Sequence, residues 1–375
     1  MGSTFRNITR RIIFFLTLFC CVLYAVACLS PFVSPNNWWP IGFFSLLFPY
    51  LATLLIFAIL FWLMVKPSFV LLPLVIFLLG YKQLNVLFAV HFTKHFSTEK
   101  EAGTIRIVDW NVGNMYGLSN NSLTRKHNRT EIAGAILQLQ PDIICLEEFN
   151  HSLKQGEEAD NISLFSSQFP YHYFSKDVDK KNGFYQYGTI IFSKFKMVDT
   201  GKIKYPYYSY ESLIYADIKL ADDTIRIYAT HLQSFKFSGA DYANMDKVAQ
   251  QNEEALQASK NIISKMKTAF KKRSLQADVV NNEISGSKRP SIMCGDFNDV
   301  PNSYTYFTIR GLLQDAFLQK DFGIGKSFNA LAPTLRIDYI LPDSTFNVRQ
   351  FDMVDEGLSD HTMLVSDVSL RKLSE

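Results

Sequence analysis

The early part of this 375-residue sequence lacks charged residues. No Asp, Glu, Lys or Arg occurs between residues 12 and 65, an interval that contains two apolar runs, residues 12–30 and 41–65. Each run is long enough to cross a bilayer, and a buried helix of a soluble domain does not explain that length. The turn between them, PFVSPNNWWP, is uncharged, and its Trp38 and Trp39 suit a membrane–water interface. We therefore predict a membrane anchor.

A third apolar run, residues 68–90, is interrupted by Lys82 and Gln83. It crosses the membrane only if a helix continues through the interruption and Lys82 extends its ammonium group to the interface. An alternative is that the first run is a cleaved signal with its cleavage site at Cys28. Basic residues precede the run, and it contains AVAC near its end, as such a signal would. The prediction that we carry forward is an anchor, residues 1–94, with three transmembrane helices at about 12–30, 41–65 and 68–90.

The distribution of basic residues predicts the orientation of this anchor. With three spans, the basic start RNITRR and Lys66 lie on one side of the membrane and the uncharged turn lies on the other. Because Lys and Arg accumulate on the cytoplasmic side, we expect a multi-pass protein of the cytoplasmic membrane with residues 95–375 on the outer, periplasmic or extracellular, side. With two spans, the same rule places those residues inside.

Cysteine is also scarce. Of the five cysteines, three lie in the first apolar run, and Cys145 and Cys294 lie in strand-like runs where they suit small buried positions. Their spacing excludes a disulfide framework and a zinc site built from Cys and His. The thiols therefore do not indicate the compartment.

After a linker predicted at residues 95–103, residues 104–375 contain short strand-like runs, most of which end in polar side chains. Hairpin-like pairs and apolar inner faces predict sheets packed face to face with helices outside. Ligands collect where strand ends converge, so these polar endings predict one site. The residues concerned are Asn111, Glu148, His231, Asp296, Asn298, Asp338, Asp360 and His361.

Each of these residues has an ordinary structural explanation, such as a turn or a helix cap, but Asp338 lies within a strand and needs a partner. Oxygen ligands such as Asn111, Glu148 and Asp360 suit Mg²⁺ or Mn²⁺ rather than zinc. Such an ion polarises a phosphoryl oxygen. Asp296 suits the orientation or deprotonation of an attacking water. The residue types therefore predict phosphoester chemistry.

Seven segments, in this order, closely resemble the endonuclease/exonuclease/phosphatase superfamily: DWNVG, PDIICLEEF, GTIIFSK, ATHLQS, CGDFNDVP, RIDYIL and LSDH. The resemblance covers roughly residues 104–370. It implies an α/β fold, a four-layer sandwich of two face-to-face mixed sheets flanked by helices, and metal-dependent phosphoester hydrolysis.

The resemblance also implies a role for each matched residue. Asn111, Glu148 and Asp360 would bind Mg²⁺ or Mn²⁺, His231 and Asn298 would contact the phosphate, Asp296 would activate the water, and Asp338 would orient His361. Two positions depart from the family pattern. Glu147 replaces the Gln of the family's Leu-Gln-Glu, and Gln186 stands where the abasic-site nucleases of the family have Tyr, which weakens a DNA-repair interpretation.

The main local feature is an insertion, residues 235–290, with a helix predicted at 241–277. Ile262, Met266 and Phe270 share one helical face. Basic residues occupy the rest: Lys265, Lys267, Lys271, Lys272 and Arg273. This pattern fits a helix packed on the sheet with a solvated basic side, or a contact with an anionic membrane or the substrate.

Three functions remain. The first is a tethered phosphodiesterase whose partners are membrane lipids and a lipid or other envelope phosphodiester, with no protein partner implied. The second is a tethered nuclease acting on nucleic acid. Residues 101–375 argue mildly against it, because they hold 31 basic and 34 acidic residues and nucleic-acid binding depends on phosphate contacts. The third is a non-catalytic scaffold, which is disfavoured because no matched site residue is missing.

Overall fold

The chain forms two compact units that interleave along the sequence. The computed structural model describes residues 2–91, 96–118, 121–153, 160–207, 209–221, 223–242, 253–330 and 332–371. Unit 1 comprises Met1–Leu87, Phe235–Ser274 and Val300–Phe307, and unit 2 comprises Phe88–Ser234, Leu275–Asp299 and Thr308–Glu375. The contiguous boundaries expected near residues 94 and 104 stay a prediction.

Unit 1 begins with the apolar helices. These are α1 Gly2–Ala27, α2 Ile41–Val65, a 3₁₀ turn Pro67–Phe69, α3 Leu71–Leu79 and α4 Tyr81–Leu87. By length and composition, Arg6–Ala27 and Ile41–Val65 can each cross a membrane, and the bent pair Pro67–Leu79 and Tyr81–Leu87 qualifies only if both parts are taken together. Membrane association is therefore supported by at least two helices.

The third apolar run is not the single helix predicted over residues 68–90. Its two parts are bent by 64° at Gly80. A Cβ at that glycine would lie 1.9 Å from the Tyr24 hydroxyl, so the close approach of α1 requires Gly there. The run also stops being helical after Leu87, because Ala89 enters a short strand.

The insertion contains one long helix, α7, Glu253–Gly286. It ends nine residues later than predicted, and the first part of the predicted helix, residues 243–252, lies outside the described residues. Arg273, expected on the solvated basic side, is instead buried. Its guanidinium lies 4.6 Å from the ring centre of Phe235 and 5.2 Å from that of Phe270.

Unit 2 contains the strands. They are β1 Ala89–Val90, β2 Ile105–Asn111, β3 Ile143–His151, β4 Tyr171–Phe174, β5 Val178–Lys180, β6 Tyr185–Ser193, β7 Met197–Lys204, β8 Ser212–Lys219, β9 Thr224–His231, β10 Ser291–Asp296, β11 Phe322–Gly323, β12 Asp338–Pro342, β13 Phe346–Val354 and β14 Met363–Leu370. The other helices of the chain are α5 Ser122–Gln138, α6 Ser163–Ser166, α8 Tyr304–Arg310 and α9 Ala316–Lys320.

The strands form two mixed sheets that face each other. One has the order β13-β14-β2-β3-β6-β4, with β5 also paired to β6, and the other has the order β12-β10-β9-β8-β7. Ile107, Cys145, Ile227 and Ile292 belong to the apolar core that both sheets share. This arrangement follows from strands whose alternate side chains are apolar, because each sheet must bury one face.

Helices cover the outer faces of both sheets. Ile132 and Ile136 of α5 pack with Val108 and Trp110 in a second apolar cluster on the seven-stranded sheet. On the other sheet, the Tyr228 hydroxyl donates to the Glu283 carbonyl of α7 at 3.2 Å. The predicted four-layer α/β sandwich, preceded by N-terminal apolar helices, is confirmed.

The segment predicted as a linker is bound to unit 2 where it is described. Arg106 donates to the carbonyls of Ser97 and Thr98 at 3.0 and 2.8 Å. Lys100 pairs with the Asp142 carboxylate at 2.6 Å. Residues 97–100 therefore belong to the folded structure, while residues 92–95 lie outside the described part.

Each sheet contains one parallel pair of strands, and the polar residues lie where these pairs end. In β2 and β3, Asn111 is opposite Glu147. In β9 and β10, His231 is opposite Asp296. The antiparallel neighbour β12 begins at Asp338, which is also opposite Asp296. The topology therefore brings residues distant in sequence to one edge of the sandwich.

Candidate active site

Asp296 is the centre of the polar cluster. Its carboxylate is almost fully buried and accepts hydrogen bonds from the Asn111 amide at 3.1 Å, the Asn298 backbone N–H at 2.7 Å and the Asn298 amide at 3.2 Å. Burial and the nearby charge of Asp338 raise the pKa of Asp296 to about 6, against the opposing effect of His361 and His231. A held carboxylate with a pKa near the working pH suits general base catalysis.

Backbone geometry explains the residues around Asp296. Gly295 has φ +136°, and a Cβ there would lie 2.0 Å from the Thr230 carbonyl, so the neighbouring strand approaches too closely for any side chain. Asn298 has φ 53°, which Asn tolerates better than most residues. The strand ends on turn-prone residues because the backbone must reverse while both side chains remain near the site.

His361 and Asp338 form an ion pair. The Nδ1 atom of His361 lies 3.0 Å from both carboxylate oxygens of Asp338. Burial opposes the charged imidazole, but Asp338 and Asp296 overcome this effect and raise the pKa of His361 to about 10. The Ser327 hydroxyl donates to Asp338 at 2.6 Å and fixes its second oxygen. His361 is therefore protonated at neutral pH.

His231 has an unused nitrogen directed into the cluster. Its Nε2 atom lies 3.6 Å from an Asp296 oxygen and 3.8 Å from a Glu148 oxygen. The atom is buried and has no hydrogen-bond partner. A buried polar atom without a partner costs free energy, so its persistence suggests that another molecule completes it.

Asn298 differs in one respect from its expected role. Its amide nitrogen donates to the Leu232 carbonyl at 3.0 Å as well as to Asp296 at 3.2 Å. An Asn amide has two hydrogens, so both are engaged. In this structure Asn298 positions Asp296, and a contact with phosphate requires one of these bonds to open.

The three predicted metal ligands lie at the edge of the same cluster. Glu148 lies in a bulge of β3, between Leu146 and Phe149; it has φ 49°, and its side chain is 28% exposed. The hydroxyl of Ser359, which precedes Asp360, donates to the Asn111 carbonyl at 2.7 Å and joins the two segments. Asp360 is near enough to His361 to raise its pKa.

The donor set fits a hard divalent cation. Asn111, Glu148 and Asp360 supply only oxygen atoms, which Mg²⁺ and Mn²⁺ prefer. The Asn111 side-chain oxygen accepts from the Gly113 N–H at 3.2 Å and keeps a second lone pair. Among the described residues, the compact groups of acidic, His or Cys ligands are Asp296–Asp338–His361 and Asp109–Cys145–Cys294, so the metal assignment remains a prediction.

Two buried acids behind the site are new. Asp109 and Glu147 are fully buried, and none of their four carboxylate oxygens has a hydrogen-bond partner. Burial raises the pKa of each carboxyl well above its ordinary value; Asp109 adds to the rise at Glu147, whereas Glu147 opposes the rise at Asp109. Asp109 was not singled out in the sequence. The available signal was a carboxylate two residues before Asn111, on the same face of the strand.

Solved structures with a similar fold come from several organisms. A bacterial endonuclease/exonuclease/phosphatase from Beutenbergia cavernae superposes with a TM-score of 0.52 at 18% identity, covering 71% of this chain and 72% of that one. The human Nocturnin catalytic domain gives 0.49 at 22% identity over 72% and 94% of the two chains. Truncated Caenorhabditis elegans TDP2 gives 0.48 at 17% identity over 72% and 100%. The first of these similarities shows a shared fold.

The sequence gives the family. The family model described as Endonuclease/Exonuclease/phosphatase family matches residues 110–361, and the chain belongs to that family. A second model, described as Domain of unknown function (DUF8431), matches residues 10–87 of the anchor. A search of curated proteins gave no match. Family membership supports hydrolysis of phosphoesters as the general activity, since members include phosphodiesterases and nucleases.

Proposed function

We propose that this protein is a membrane-tethered, divalent-metal-dependent phosphodiesterase that acts on a lipid or other envelope phosphodiester. The observation that carries the hydrolase assignment is the unpartnered Nε2 of His231, directed between Asp296 and Glu148. A non-bridging phosphate oxygen would satisfy that nitrogen. It would also place the phosphorus beside the buried carboxylate of Asp296.

The chemistry follows from the protonation states. Asp296, with a pKa of about 6, is ionised near neutral pH and accepts a proton from the attacking water. His361, with a pKa of about 10, carries a proton and donates a hydrogen bond to the phosphate. A bound Mg²⁺ or Mn²⁺, held by Asn111, Glu148 and Asp360, would supply charge stabilisation for a phosphoryl oxygen.

Tethering supports a membrane-borne substrate. Helix α4 ends at Leu87, and Ala89 already pairs with Gly323 in a strand of unit 2. Along the chain, only Phe88 separates this helix from the strand. A short tether raises the effective concentration of substrates in the same membrane into the ~mM range, and does nothing for freely diffusing ones.

Contacts within unit 1 support a third membrane crossing. The Phe14 and Phe69 rings are 5.1 Å apart, and the Tyr24 hydroxyl donates to the Phe77 carbonyl at 3.0 Å. Further along, the Gln83 amide donates to the Cys28 carbonyl at 2.6 Å. The third run therefore advances beside α1 in the same direction, as a third crossing would.

The contacts of Asn302 place this residue at the same end of the anchor as the uncharged turn. The Asn302 carbonyl accepts from the Ser30 hydroxyl at 2.7 Å, and the Asn302 amide donates to the Ser45 carbonyl at 2.5 Å. Ser30 and Ser45 lie near the ends of α1 and α2 that are joined by the uncharged turn. This end is remote from the basic N-terminus. By the positive-inside rule, the turn and Asn302 lie outside the cytoplasm.

Reporter fusions test this orientation. Alkaline phosphatase fused after Glu375 should be active, and a cytoplasm-specific fluorescent reporter at the same position should be dark. The reverse pattern would show that the third run does not cross, and would place the site inside.

The substrate test uses the full-length chain in proteoliposomes with Mg²⁺. Phosphodiester lipids are supplied either in the same vesicles as the protein or in separate vesicles, alongside a soluble phosphodiester and plasmid DNA. We expect rapid hydrolysis of lipid in the same vesicle and at least ~10-fold slower hydrolysis across vesicles, because the tether acts only within one bilayer. Asp296→Asn in the same vesicles is the blank.

The alternative has a distinct signature. Efficient cleavage of plasmid DNA, with no lipid hydrolysed in either arrangement, would replace the lipid assignment with a nuclease. The absence of all metal-dependent hydrolysis across the panel would contradict the proposed activity itself.

A further inference from the structure

The insertion helix α7 is attached to the end of a membrane-spanning helix. Phe270 is fully buried, and its ring centre lies 5.2 Å from that of Phe43. A Cβ at Gly42 would lie 2.5 Å from the Phe270 Cγ atom. Three residues before it, the Lys267 ammonium lies 5.4 Å from the ring centre of Trp39. All of these contacts lie within unit 1.

This attachment fixes the depth of α7. Helix α2 is a charge-free segment of 25 residues beginning at Ile41, so its first turn lies at a membrane–water boundary. Trp38 and Trp39 immediately precede it, and tryptophan favours that boundary. Residues 267–270 of α7, which touch Trp39, Gly42 and Phe43, must therefore lie at the same boundary.

The accessible side of α7 carries a line of lysines. Lys260, Lys267 and Lys271 are separated by seven and four residues and share one helical face. Lys260 and Lys267 are exposed and Lys271 is half-buried. No acidic residue occurs between residues 260 and 273, nor in the uncharged turn beside them.

Two other basic residues of the insertion are already engaged. Lys265 pairs with Asp241 at 2.6 Å, and Arg273 is buried against two phenylalanine rings. Among the described residues, no carboxylate pairs with Lys260, Lys267 or Lys271, so these three lysines are open to an anionic partner.

We propose that Lys260, Lys267 and Lys271 form a binding surface for anionic phospholipid head groups in the leaflet that contacts the α1–α2 turn. The inference depends on the membrane anchor and not on which phosphoester the site hydrolyses. The surface recruits anionic lipid because lysines at the head-group level attract negative charge, and a helix with its apolar side already packed on the anchor presents them without further folding.

Site-specific photocrosslinking tests this surface. The full-length chain, with photoreactive p-benzoylphenylalanine in place of the exposed Ser264 between the lysines, is reconstituted with equal labelled amounts of phosphatidylglycerol and phosphatidylcholine. We expect phosphatidylglycerol to be crosslinked in excess over phosphatidylcholine, by about fivefold for each lysine that contacts it. The excess should fall in high salt and should not be displaced by soluble glycerol 3-phosphate.

Matched variants complete the test. Lys260→Gln/Lys267→Gln/Lys271→Gln should bring the two lipids to equal crosslinking. The control Lys196→Gln/Lys204→Gln/Lys288→Gln, which removes three exposed lysines from unit 2, should leave the excess unchanged. Equal crosslinking in the unaltered lysine background, or no lipid crosslinking at all, would overturn the proposal. Loss of the excess in both triple variants would also overturn it, because bulk charge would then be the cause.

Discussion

Two sets of buried carboxylates at and behind the candidate site differ in the groups that surround them. Asp296 is 1% exposed but accepts three hydrogen bonds and faces two histidines. Asp109 and Glu147 are equally buried, yet none of their oxygens has a partner. Burial alone raises the pKa of all three; the neighbours decide how far.

The difference lies in how strongly each environment favours the charged form of the carboxyl group. Donors and nearby imidazoles limit the pKa of Asp296 to about 6, so it ionises near neutral pH. At Asp109 and Glu147, burial and neighbouring acids raise the pKa well above its ordinary value, so the charged form is disfavoured. A buried carboxyl becomes useful in catalysis when its charged form is stabilised. Asp109 and Glu147 lack that stabilisation.

The largest expected effect is at Asp296. Asp296→Asn keeps the shape but removes the base, and should lower kcat by at least ~10²-fold on the true substrate. Glu147→Gln is the matched control, since it converts the neighbouring buried acid to its amide and should stay within about twofold of wild type. The assigned mechanism is wrong if Asp296→Asn hydrolyses substrate at near the wild-type rate while remaining folded by circular dichroism.

Glu148 should govern metal dependence. Glu148→Ala removes one of the proposed oxygen ligands, so the Mg²⁺ concentration for half-maximal activity should rise by roughly tenfold or more. Glu131→Ala, an exposed glutamate on α5, serves as the control. Mg²⁺ titrations of initial rate measure both. An unchanged titration curve for Glu148→Ala would remove this residue from the metal site.

The pH profile should reflect Asp296 and His361 together. Activity requires Asp296 ionised and His361 protonated, so kcat should rise with pH through about 6 and fall above about 10. Asp338→Asn removes the carboxylate that most raises the His361 pKa, so the upper limb should move to lower pH. A profile with the same upper limb in that variant would contradict the ion pair's role.

The smallest effect is expected at Glu147. Its folded-state pKa lies above the ordinary value of 4.5, so the wild type loses stability as pH rises above that value. Glu147→Gln removes this loss and should raise the Tm at pH 8 more than at pH 5, by more than about 2 °C, the shift that ~1 kcal/mol produces. Thermal melts at the two pH values measure it. An equal shift at both would show that Glu147 is not protonated in the folded state.

Much of the site was predictable because strand ends carry their chemistry in sequence. Asn111, His231 and Asp296 each follow a run of apolar residues, and parallel strands bring such endings to one edge. The separate contributions of Asn298 were not predictable. Its amide is shared between Asp296 and the Leu232 carbonyl, a contact that depends on the pairing of β9 and β10.

The anchor shows the same division. Absence of charge from residue 12 to 65 predicted two long apolar helices, because only an apolar segment of that length is stable across a bilayer. The break at Gly80 was not predicted, since it follows from the approach of Tyr24. The burial of Arg273 was missed for a related reason: helical periodicity gives the face of a residue but not the rings of Phe235 and Phe270 packed beside it.

The sequence by itself determined the apolar anchor, the strand-like runs and the identity of the polar residues at their ends, because hydrophobic period and residue type are local properties. Only the tertiary structure decided how strongly each carboxylate favours its charged form. Asp296, Asp109 and Glu147 have similar sequence surroundings, but their ionisation depends on donors and charges contributed by other strands. The packing of one sheet on the other brings such neighbours together across 185 residues of chain, as between Asn111 of β2 and Asp296 of β10.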